Sequence, residues 1–322
     1  MLARRQFIAL VALVAFTGSA GAGGWPDKPV RIIYPYAAGS TGDATARLIA
    51  GRLSDRFGQP FIVENRVGAN GIIATEAVAR AAPDGYTLLW GVTPQIAISP
   101  AMTKVPYDPA TDFVPISAVS TNKFVLLVNA KVPVKTVSEF LAHVRAEPKG
   151  FTYAEGGAGS ISHLSMALLL NRAGLTGTNV SYKGNGPALT DVVAGHLPAM
   201  FALFGDALSQ AESGAIRLLA VSSERRAAQA PDVPTIAESG FPGFKATSWW
   251  GLMAPAGTPK PIVDRIAAEV GNAVRDPKII ERLTAFGVDP VVGNSPDQFS
   301  AMIRADIELW AEAVKIAGLQ AK

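Results

Sequence analysis

Two segments of the chain share one plan: an apolar strand, a run of small residues, and then a helix. One reads VRIIYPYAAGSTGDATARLIAGRL from residue 30, and the other reads FTYAEGGAGSISHLSMALLLNR from residue 151. Small residues let a backbone come close to a ligand, and the start of a helix presents N–H groups that lack partners inside the helix. The repetition therefore predicts two strand-to-helix turns of one kind, one in each of two domains, which face each other as half-sites.

The rest of the chain continues this alternation of apolar, strand-like runs with helical stretches. In the first helical stretch, apolar residues recur on one face until Gly58 ends it. The alternation predicts an α/β fold with a largely parallel sheet. Beyond residue 224, a segment rich in proline and glycine predicts an irregular excursion around one short helix. Three further helices are expected at 261–275, 277–286 and 296–317.

The chain opens with the pattern of an export signal. Arg4 and Arg5 precede the apolar run FIALVALVAF, and small residues that include Ala22 follow. A basic start, a short apolar core and a small-residue exit are typical of a secretory signal peptide. The apolar run is too short to span a bilayer, which takes about 20 residues, and a retained anchor is the alternative interpretation. We expect residues 1–22 to be a signal peptide, exported by the general or the twin-arginine route, and the mature protein to lie in the periplasm.

Removing these 22 residues from the 322 leaves 300, enough for two domains of ordinary size. The whole chain carries 29 basic and 26 acidic residues, and the net charge falls from +3 to +1 without Arg4 and Arg5. Nucleic-acid binding needs a strong basic excess, so this near balance argues against it. The chain has no cysteine, which excludes disulfides, thiolate metal sites and a lipid-bearing cysteine. These features predict a soluble, exported protein.

The two turns suit an anion. A helix start carries about half a positive charge and several free N–H donors. Ser40 and Thr41 in the first turn, and Ser160 and Ser162 in the second, add hydroxyl groups. The plainer interpretation is that these side chains only cap the two helices. Phosphate motifs do not fit, because G-x-x-x-x-G-K-[ST] does not occur and GAGSIS lacks the last glycine of G-x-G-x-x-G.

Two catalytic alternatives have less support than binding. In a hydrolase, Ser160 would be the nucleophile, with His163 nearby and Asp191 or Asp206 completing a triad. The G-x-S-x-G elbow is missing, however, and a histidine three positions along the same helix aims poorly at the serine. The histidines have no metal-ligand spacing, and H-E-x-x-H does not occur. We therefore expect no enzyme activity, no metal and no cofactor.

Five segments spread along the mature chain form a specific set in their order and spacing, and the resemblance that they carry extends from residue 25 to about residue 319. They are WPDKPVRIIYPYAAGSTGDATARLIA, VENRVGANGIIATEAVARAAPDGYTLLWG, YAEGGAGSISHL, YKGNGPALTDVVAGH and SWWGLMAPAGTPKPIVDRIAAEV. Together they resemble the Bug family, the extracytoplasmic substrate-binding proteins of tripartite tricarboxylate transporters. The resemblance implies an α/β, two-domain periplasmic-binding-protein fold of type II, a Venus flytrap. It also implies a small organic carboxylate held in the interdomain cleft, mostly by backbone N–H groups.

The residues that the resemblance assigns to the ligand lie in the two turns and at the border of the cleft. They are Tyr36, Ala38, Gly39, Ser40, Thr41, Thr93, Gly157, Gly159, Ser160, His163, Tyr182 and Asp206. The chain departs from the family pattern at Ser40, where a second glycine is common; the hydroxyl narrows the approach but leaves the amides in place. Asp43 is expected to stabilise its helix dipole, or else to meet the ammonium of an amino acid. The same two roles are open for Asp206.

The chain is expected to cross between the domains near residues 121–123 and 222–224. Domain I then comprises 25–122 plus 223–322, and domain II comprises 123–222. The resemblance implies a monomer that captures a di- or tricarboxylate, an aromatic acid or an amino acid and passes it to the membrane subunits of a transporter. The alternative is a sensor role, in which the closed protein presents its ligand to a membrane two-component kinase. The sequence does not separate these roles.

Overall fold

The structure is a computed structural model that describes residues 24–147 and 150–320. The predicted signal peptide, residues 1–22, lies outside the described residues. The strands are β1 (Val30–Tyr34), β2 (Phe61–Asn65), β3 (Thr87–Val92), β4 (Phe113–Asn129), β5 (Thr152–Glu155), β6 (Thr178–Ser181), β7 (Ala199–Leu203), β8 (Ile216–Val221), β9 (Thr247–Pro255) and β10 (Asp289–Pro290). The helices are α1 (Thr41–Phe57), α2 (Ile72–Ala79), α3 (Ser99–Met102), α4 (Val137–Ala146), α5 (Ile161–Arg172), α6 (Asn185–Ala194), α7 (Phe204–Glu212), α8 (Lys260–Ala273), α9 (Pro277–Ala285) and α10 (Pro296–Ile316).

The strands form two halves of a mixed sheet that share β4. The first half has the order β2-β1-β3-β9-β4, and the second continues from β4 through β7 and β5 to β6. Strands β8 and β10 also pair with β4. The prediction of a largely parallel sheet is wrong at the centre, because β4 and β9 run antiparallel to all of their neighbours in the described residues. Strand direction depends on the route of the connecting segments, which apolar periodicity does not encode.

Strand β4 belongs to both halves. Its residues from Phe113 to Lys123 pair with β9, and those from Phe124 to Val128 pair with β7. The sequence predicts only the second part of this strand, from Lys123 onward. The first part gives no clear strand signal in the sequence, because register shifts after Pro115 and after Ala118 break the alternation of its side chains between the two faces of the sheet.

Each half has its own apolar core. In the first half, Ile49 of α1 and Ile266 of α8 pack on Trp90 of β3. In the second, residues of β4, β7 and α5 form the core, and Trp310 and Val314 of α10 join it. The last helix therefore packs on α5 in the second half, although it follows the first half in sequence.

Two local predictions differ from the structure. The sequence does not predict α7, which follows β7 directly and has no side-chain cap. The prediction of a short helix after residue 224 is wrong. Thr235 and Glu238 exchange the two hydrogen bonds that are typical of a helix start. Gly240, with φ 104°, then ends the helical conformation after a single turn. Within residues 24–147 and 150–320, no helix combines the length and apolar character that crossing a membrane requires.

Candidate functional site

A cavity of about 1050 Å³ lies where β4 passes from one half to the other. Both small-residue turns line it, the first through residues 39–42 and the second through residues 156–161. The strands add Asn122 of β4 and Trp250 of β9, and α7 adds Asp206. The two segments that share one plan in the sequence therefore meet at one cavity, as the sequence predicts.

The first turn is closed by hydrogen bonds among its own residues. Ser40 is the N-cap of α1, and its Oγ accepts a hydrogen bond from the backbone N–H of Asp43 at 3.2 Å. The Asp43 carboxylate accepts one from the N–H of Gly39 at 3.1 Å. Gly39 has φ 88°, a conformation that favours glycine. The Tyr34 hydroxyl lies 2.9 Å from the Ser40 hydroxyl and ties the turn to β1.

Asp43 holds this turn in place. Its carboxylate accepts from Arg47 at 3.0 Å and 3.1 Å and from Asn65 at 2.9 Å. Burial raises the pKa of this carboxyl, but the hydrogen bonds from Arg47, Asn65 and the Gly39 amide outweigh burial and hold the pKa below its ordinary value. Asp43 is not among the described residues that line the cavity. The structure therefore supports the structural role over contact with the ligand.

The second turn repeats this arrangement with different side chains. Ser160 is the N-cap of α5 and accepts from the backbone N–H of His163 at 3.3 Å. The Nδ1 atom of His163 accepts from the N–H of Gly159 at 3.3 Å, as Asp43 does in the first turn. Gly159 has φ 77°. In both turns, a glycine–serine pair is closed by an acceptor side chain three residues after the serine.

His163 is therefore a neutral acceptor in this turn. Its Nδ1 accepts a hydrogen bond, so the ring proton lies on Nε2. Burial lowers the pKa of His163, and the nearby charge of Glu155 offsets part of that effect. Among the described residues, no hydrogen bond joins the Ser160 hydroxyl to the His163 ring. The serine–histidine pair that a hydrolase needs is not assembled.

A fully buried carboxylate, Glu155, lies behind the second turn. Its Oε2 accepts from the Gly157 N–H at 2.5 Å, and its Oε1 accepts from Asn179 at 3.2 Å. The Ser162 hydroxyl donates to the Asn185 side chain at 3.0 Å. These hydrogen bonds use the polar side chains to fix the conformation of the turn. The turn is therefore preorganised in the absence of a ligand.

The first backbone amides of α1 and α5 have no hydrogen-bond acceptor among the described residues. The N–H groups of Thr41, Gly42 and Ile161 have no acceptor inside their helices, because no helical turn precedes them. All three residues line the cavity. The amides of Gly39 and Gly159 are already engaged by Asp43 and His163. The backbone amides without a partner at this cavity are therefore those of the helix starts rather than those of the glycines before them.

The cavity has almost no charged side chains. Asp206, in the first turn of α7, is the one charged residue that lines it in the described part of the chain. Partial burial in the cavity wall removes some of the water around this carboxyl and so raises its pKa. The residue nevertheless remains exposed to solvent. The described residues contain no group of three or more histidines and acids placed to hold a metal ion.

Eight of the twelve residues assigned by the resemblance line the cavity. They are Tyr36, Gly39, Ser40, Thr41, Gly157, Gly159, Ser160 and Asp206. Ala38, Thr93, His163 and Tyr182 do not line it. Thr93 is fully buried, and its hydroxyl oxygen accepts from the backbone N–H of Trp249 at 3.0 Å. The Tyr182 hydroxyl bonds to Asp191 instead of facing the cavity.

Sequence reasoning missed several polar and aromatic residues that the strands and loops bring to the cavity. They include Asn70, Asn122, Phe124, Asn185, Ser248 and Trp250. Alternation along β9 was an available signal, because Ser248 and Trp250 share one face while Trp249 packs in the core against Phe299. No comparable signal marked Asn122, since the register shifts before it obscure the pattern of β4.

The loop that presents Asn70 is strained. Ala69 and Asn70 have φ 44° and 52°, a left-handed conformation that costs energy for residues other than glycine. Gly68 and Gly71 beside them also have positive φ. Such strain often persists where a side chain is aimed at a ligand, and here it accompanies a residue that lines the cavity.

Comparison with known proteins gives matches along nearly the whole chain. A family model described as the tripartite tricarboxylate transporter family receptor matches residues 45–319. Protein BugT of Bordetella pertussis is 34% identical over 314 residues, which is 97% of this chain and 96% of BugT.

Two solved structures extend this similarity to the fold. R. palustris Rpa4515 with adipate is 35% identical, with a TM-score of 0.78, over 91% of this chain and 98% of the other. MatC from Rhodopseudomonas palustris with bound malate is 33% identical, with a TM-score of 0.76, over 90% of this chain and 100% of MatC. Each of these two structural matches covers at least nine-tenths of this chain.

Proposed function

This chain belongs to the family of tripartite tricarboxylate transporter receptors, and from that premise we propose that it binds a small organic carboxylate between its two turns and delivers it to membrane transporter subunits. Membership confirms the family that the sequence indicates, and the solved relatives confirm the binding-protein fold. The family is one of substrate-binding receptors rather than enzymes. Rpa4515 with adipate and MatC with malate supply the ligand class of the proposal.

One observation supports the proposal most strongly: two helix starts, one from each half, bring unpaired amides to one cavity. Their positive ends attract a negative charge, and their N–H groups match carboxylate oxygens. The cavity has no lysine, arginine or histidine lining it in the described residues. The positive partial charge that the described residues offer an anion at this cavity therefore comes from the two helix starts.

The magnitudes favour a ligand that engages both turns. Four hydrogen bonds to a carboxylate contribute about 6–12 kcal/mol at roughly 1.5–3 kcal/mol each. Association costs on the order of 4–15 kcal/mol, and micromolar affinity needs about −8 kcal/mol net. A carboxylate held by four such bonds on a static surface is therefore marginal. Contacts from both halves, with water excluded between them, make up the difference.

The proposal includes a location and a division into domains. Residues 1–22 are removed on export, and the mature receptor acts in the periplasm. Residues 25–122 plus 223–322 form one domain and 123–222 form the other, although Ile236, Phe244 and the end of α10 pack in the core of the second half. The change of pairing partner in β4 between Lys123 and Phe124 supports a crossing at this place.

A thermal-shift panel of mono-, di- and tricarboxylates tests the proposal on protein that has been unfolded and refolded to remove any bound ligand. A ligand at 100 times its Kd stabilises the folded form by about 2.7 kcal/mol, so at least one acid is expected to raise Tm clearly. A panel in which no acid raises Tm contradicts the proposal.

A pair of variants then tests the turn itself. Thr41→Pro removes the first N–H of α1 at the one helical position where proline is tolerated, and Thr41→Ala keeps this N–H while removing the hydroxyl. Loss of a hydrogen bond to a charged group predicts about 10-fold or greater weakening in Thr41→Pro. Thr41→Ala is expected to bind within a few-fold of the wild type. Equal affinities for the two variants would exclude the amide as a donor.

A further inference from the structure

Asn122 is a polar residue whose hydrogen-bonding capacity is unused. It lies on β4 just before the strand changes partner, lines the cavity, and is 1% exposed. Neither its Oδ1 nor its Nδ2 has a hydrogen-bond partner among the described residues. Buried amides are nearly always hydrogen-bonded, and an unpaired one costs stability. The unpaired side-chain amide of Asn122, which can both donate and accept a hydrogen bond, therefore lies at the wall of the cavity.

Asp206 is a second polar group at the cavity without a protein partner. Its carboxylate makes no hydrogen bond or ion pair within residues 24–147 and 150–320. It follows Leu203, which also lines the cavity and pairs with Phe124, two residues beyond Asn122 on the same face of β4. The carboxylate and the amide thus belong to the same junction of β4, β7 and α7.

The charges at this cavity restrict the ligand. The helix starts supply positive partial charge at the two turns, whereas Asp206 supplies a negative charge, and no lysine, arginine or histidine of the described residues lines the cavity to neutralise it. A second carboxylate placed near Asp206 would be repelled. An ammonium there would be attracted, and its N–H groups would match the Asp206 carboxylate and the Asn122 Oδ1.

We propose that the bound acid carries an amino group recognised by Asp206 and Asn122, so that the ligand class is an amino-carboxylate. The acid's carboxylate lies at the helix starts, and its ammonium lies against the β4–α7 junction. The Nδ2 of Asn122 remains available to donate to the ligand's own oxygen. This proposal rests on the proposed function and narrows its ligand class.

Matched acid pairs test the proposal, because each pair differs only by an amino group. The pairs are succinate and aspartate, glutarate and glutamate, 4-methylpentanoate and leucine, and 3-phenylpropanoate and phenylalanine. On refolded, ligand-free protein, Tm shifts rank the pairs and titration calorimetry gives Kd. The amino member of the best pair is expected to bind at least about 10-fold more tightly than the plain acid.

Two variants assign the effect to the named side chains. Asp206→Asn keeps the shape but removes the charge, and is expected to weaken the amino member about 10-fold while leaving the plain acid unchanged or tighter. Asn122→Leu is expected to weaken the amino member without lowering Tm of the free protein, because an unpaired buried amide is replaced by an apolar group. A merely structural asparagine would lower Tm instead. Asp232→Asn, at an exposed position that does not line the cavity, is the matched charge control.

The outcomes separate the two proposals. If acids bind but the plain members bind as tightly as the amino members, or if Asp206→Asn leaves amino-acid affinity unchanged, the amino-group proposal is overturned and the proposed function stands. If neither member of any pair binds, and the wider carboxylate panel also gives no Tm shift, both proposals fail together.

Discussion

At the scale of the residue, the two turns show one backbone geometry closed by two different side chains. Asp43 and His163 occupy equivalent positions and accept from the amides of Gly39 and Gly159. One acceptor is an ionised carboxylate and the other is a neutral imidazole. What the two turns share is an acceptor three residues after the N-cap serine, so the side chains shape the turns and the helix amides are left for the ligand.

Replacing Asp43 tests its structural role. Asp43→Asn keeps one acceptor oxygen but loses the charge-assisted bonds from Arg47, so the free energy of unfolding at pH 7 is expected to fall by about 1–3 kcal/mol. The folded state lowers the pKa of Asp43, so its stabilisation is present above the ordinary value near 3.9 and is lost as pH falls through the folded value. Chemical unfolding at pH 7 and at pH 3 measures the difference from the wild type.

At pH 7 the free energy of unfolding of Asp43→Asn is expected to lie below that of the wild type, and this difference is expected to shrink at pH 3. Asp232→Asn is the control, because it removes an exposed aspartate and is expected to change stability little at either pH. An Asp43→Asn gap of the same size at both pH values would mean that the charge of Asp43 does not contribute.

At the scale of the element, the sequence predicts most helices and strands but not how the strands run. Helix α1 ends at Gly58, in a left-handed conformation with φ 69°, as its apolar face and glycine indicate. The first part of β4 and the antiparallel direction of β9 were not predictable, since register shifts and connection routes leave no periodic signal.

The candidate site, too, could be predicted from the sequence only in part. The two turns were found because small residues and helix starts are local features of the sequence. Asn122 and Trp250 were not, because only the pairing of distant strands brings them to the cavity. Thr93, which the resemblance places at the border of the cleft, is buried between two residues that line the cavity, and its hydroxyl oxygen accepts from the backbone N–H of Trp249.

The contact between α7 and the end of α9 yields a prediction about packing. A methyl group on Gly287 would lie 2.7 Å from the Cα of Gly205, whereas one on Gly318 would meet nothing within 4 Å. Both glycines follow the C-cap of a helix, with φ 75° and 68°. Alanine in the left-handed conformation at either position costs about 1–2 kcal/mol of stability. Only Gly287→Ala also places a methyl group against α7 and forces this helix to move.

Gly287→Ala is therefore expected to lower the free energy of unfolding by about 1–3 kcal/mol more than Gly318→Ala does. Denaturant unfolding of the two variants beside the wild type gives both values. Equal losses would show that the close approach of Gly205 and Gly287 carries no packing constraint.

At the scale of the whole molecule, the continuous strand β4 and the terminal helix α10 hold the two halves beside the cavity. β4 pairs with β9 in one half and with β7 in the other, and α10 packs on α5. A ligand that engages both helix starts therefore bridges the two halves. Affinity and any closing motion of the halves then depend on the same contacts.

A crystal structure with the tightest acid from the panel tests this account most directly. We expect a carboxylate oxygen about 2.9 Å from the N–H of Thr41 or Gly42, with the Ile161 amide contacting the same ligand from the other half. An acid bound outside the cavity, or one held by side chains with these amides still unpaired, would contradict it.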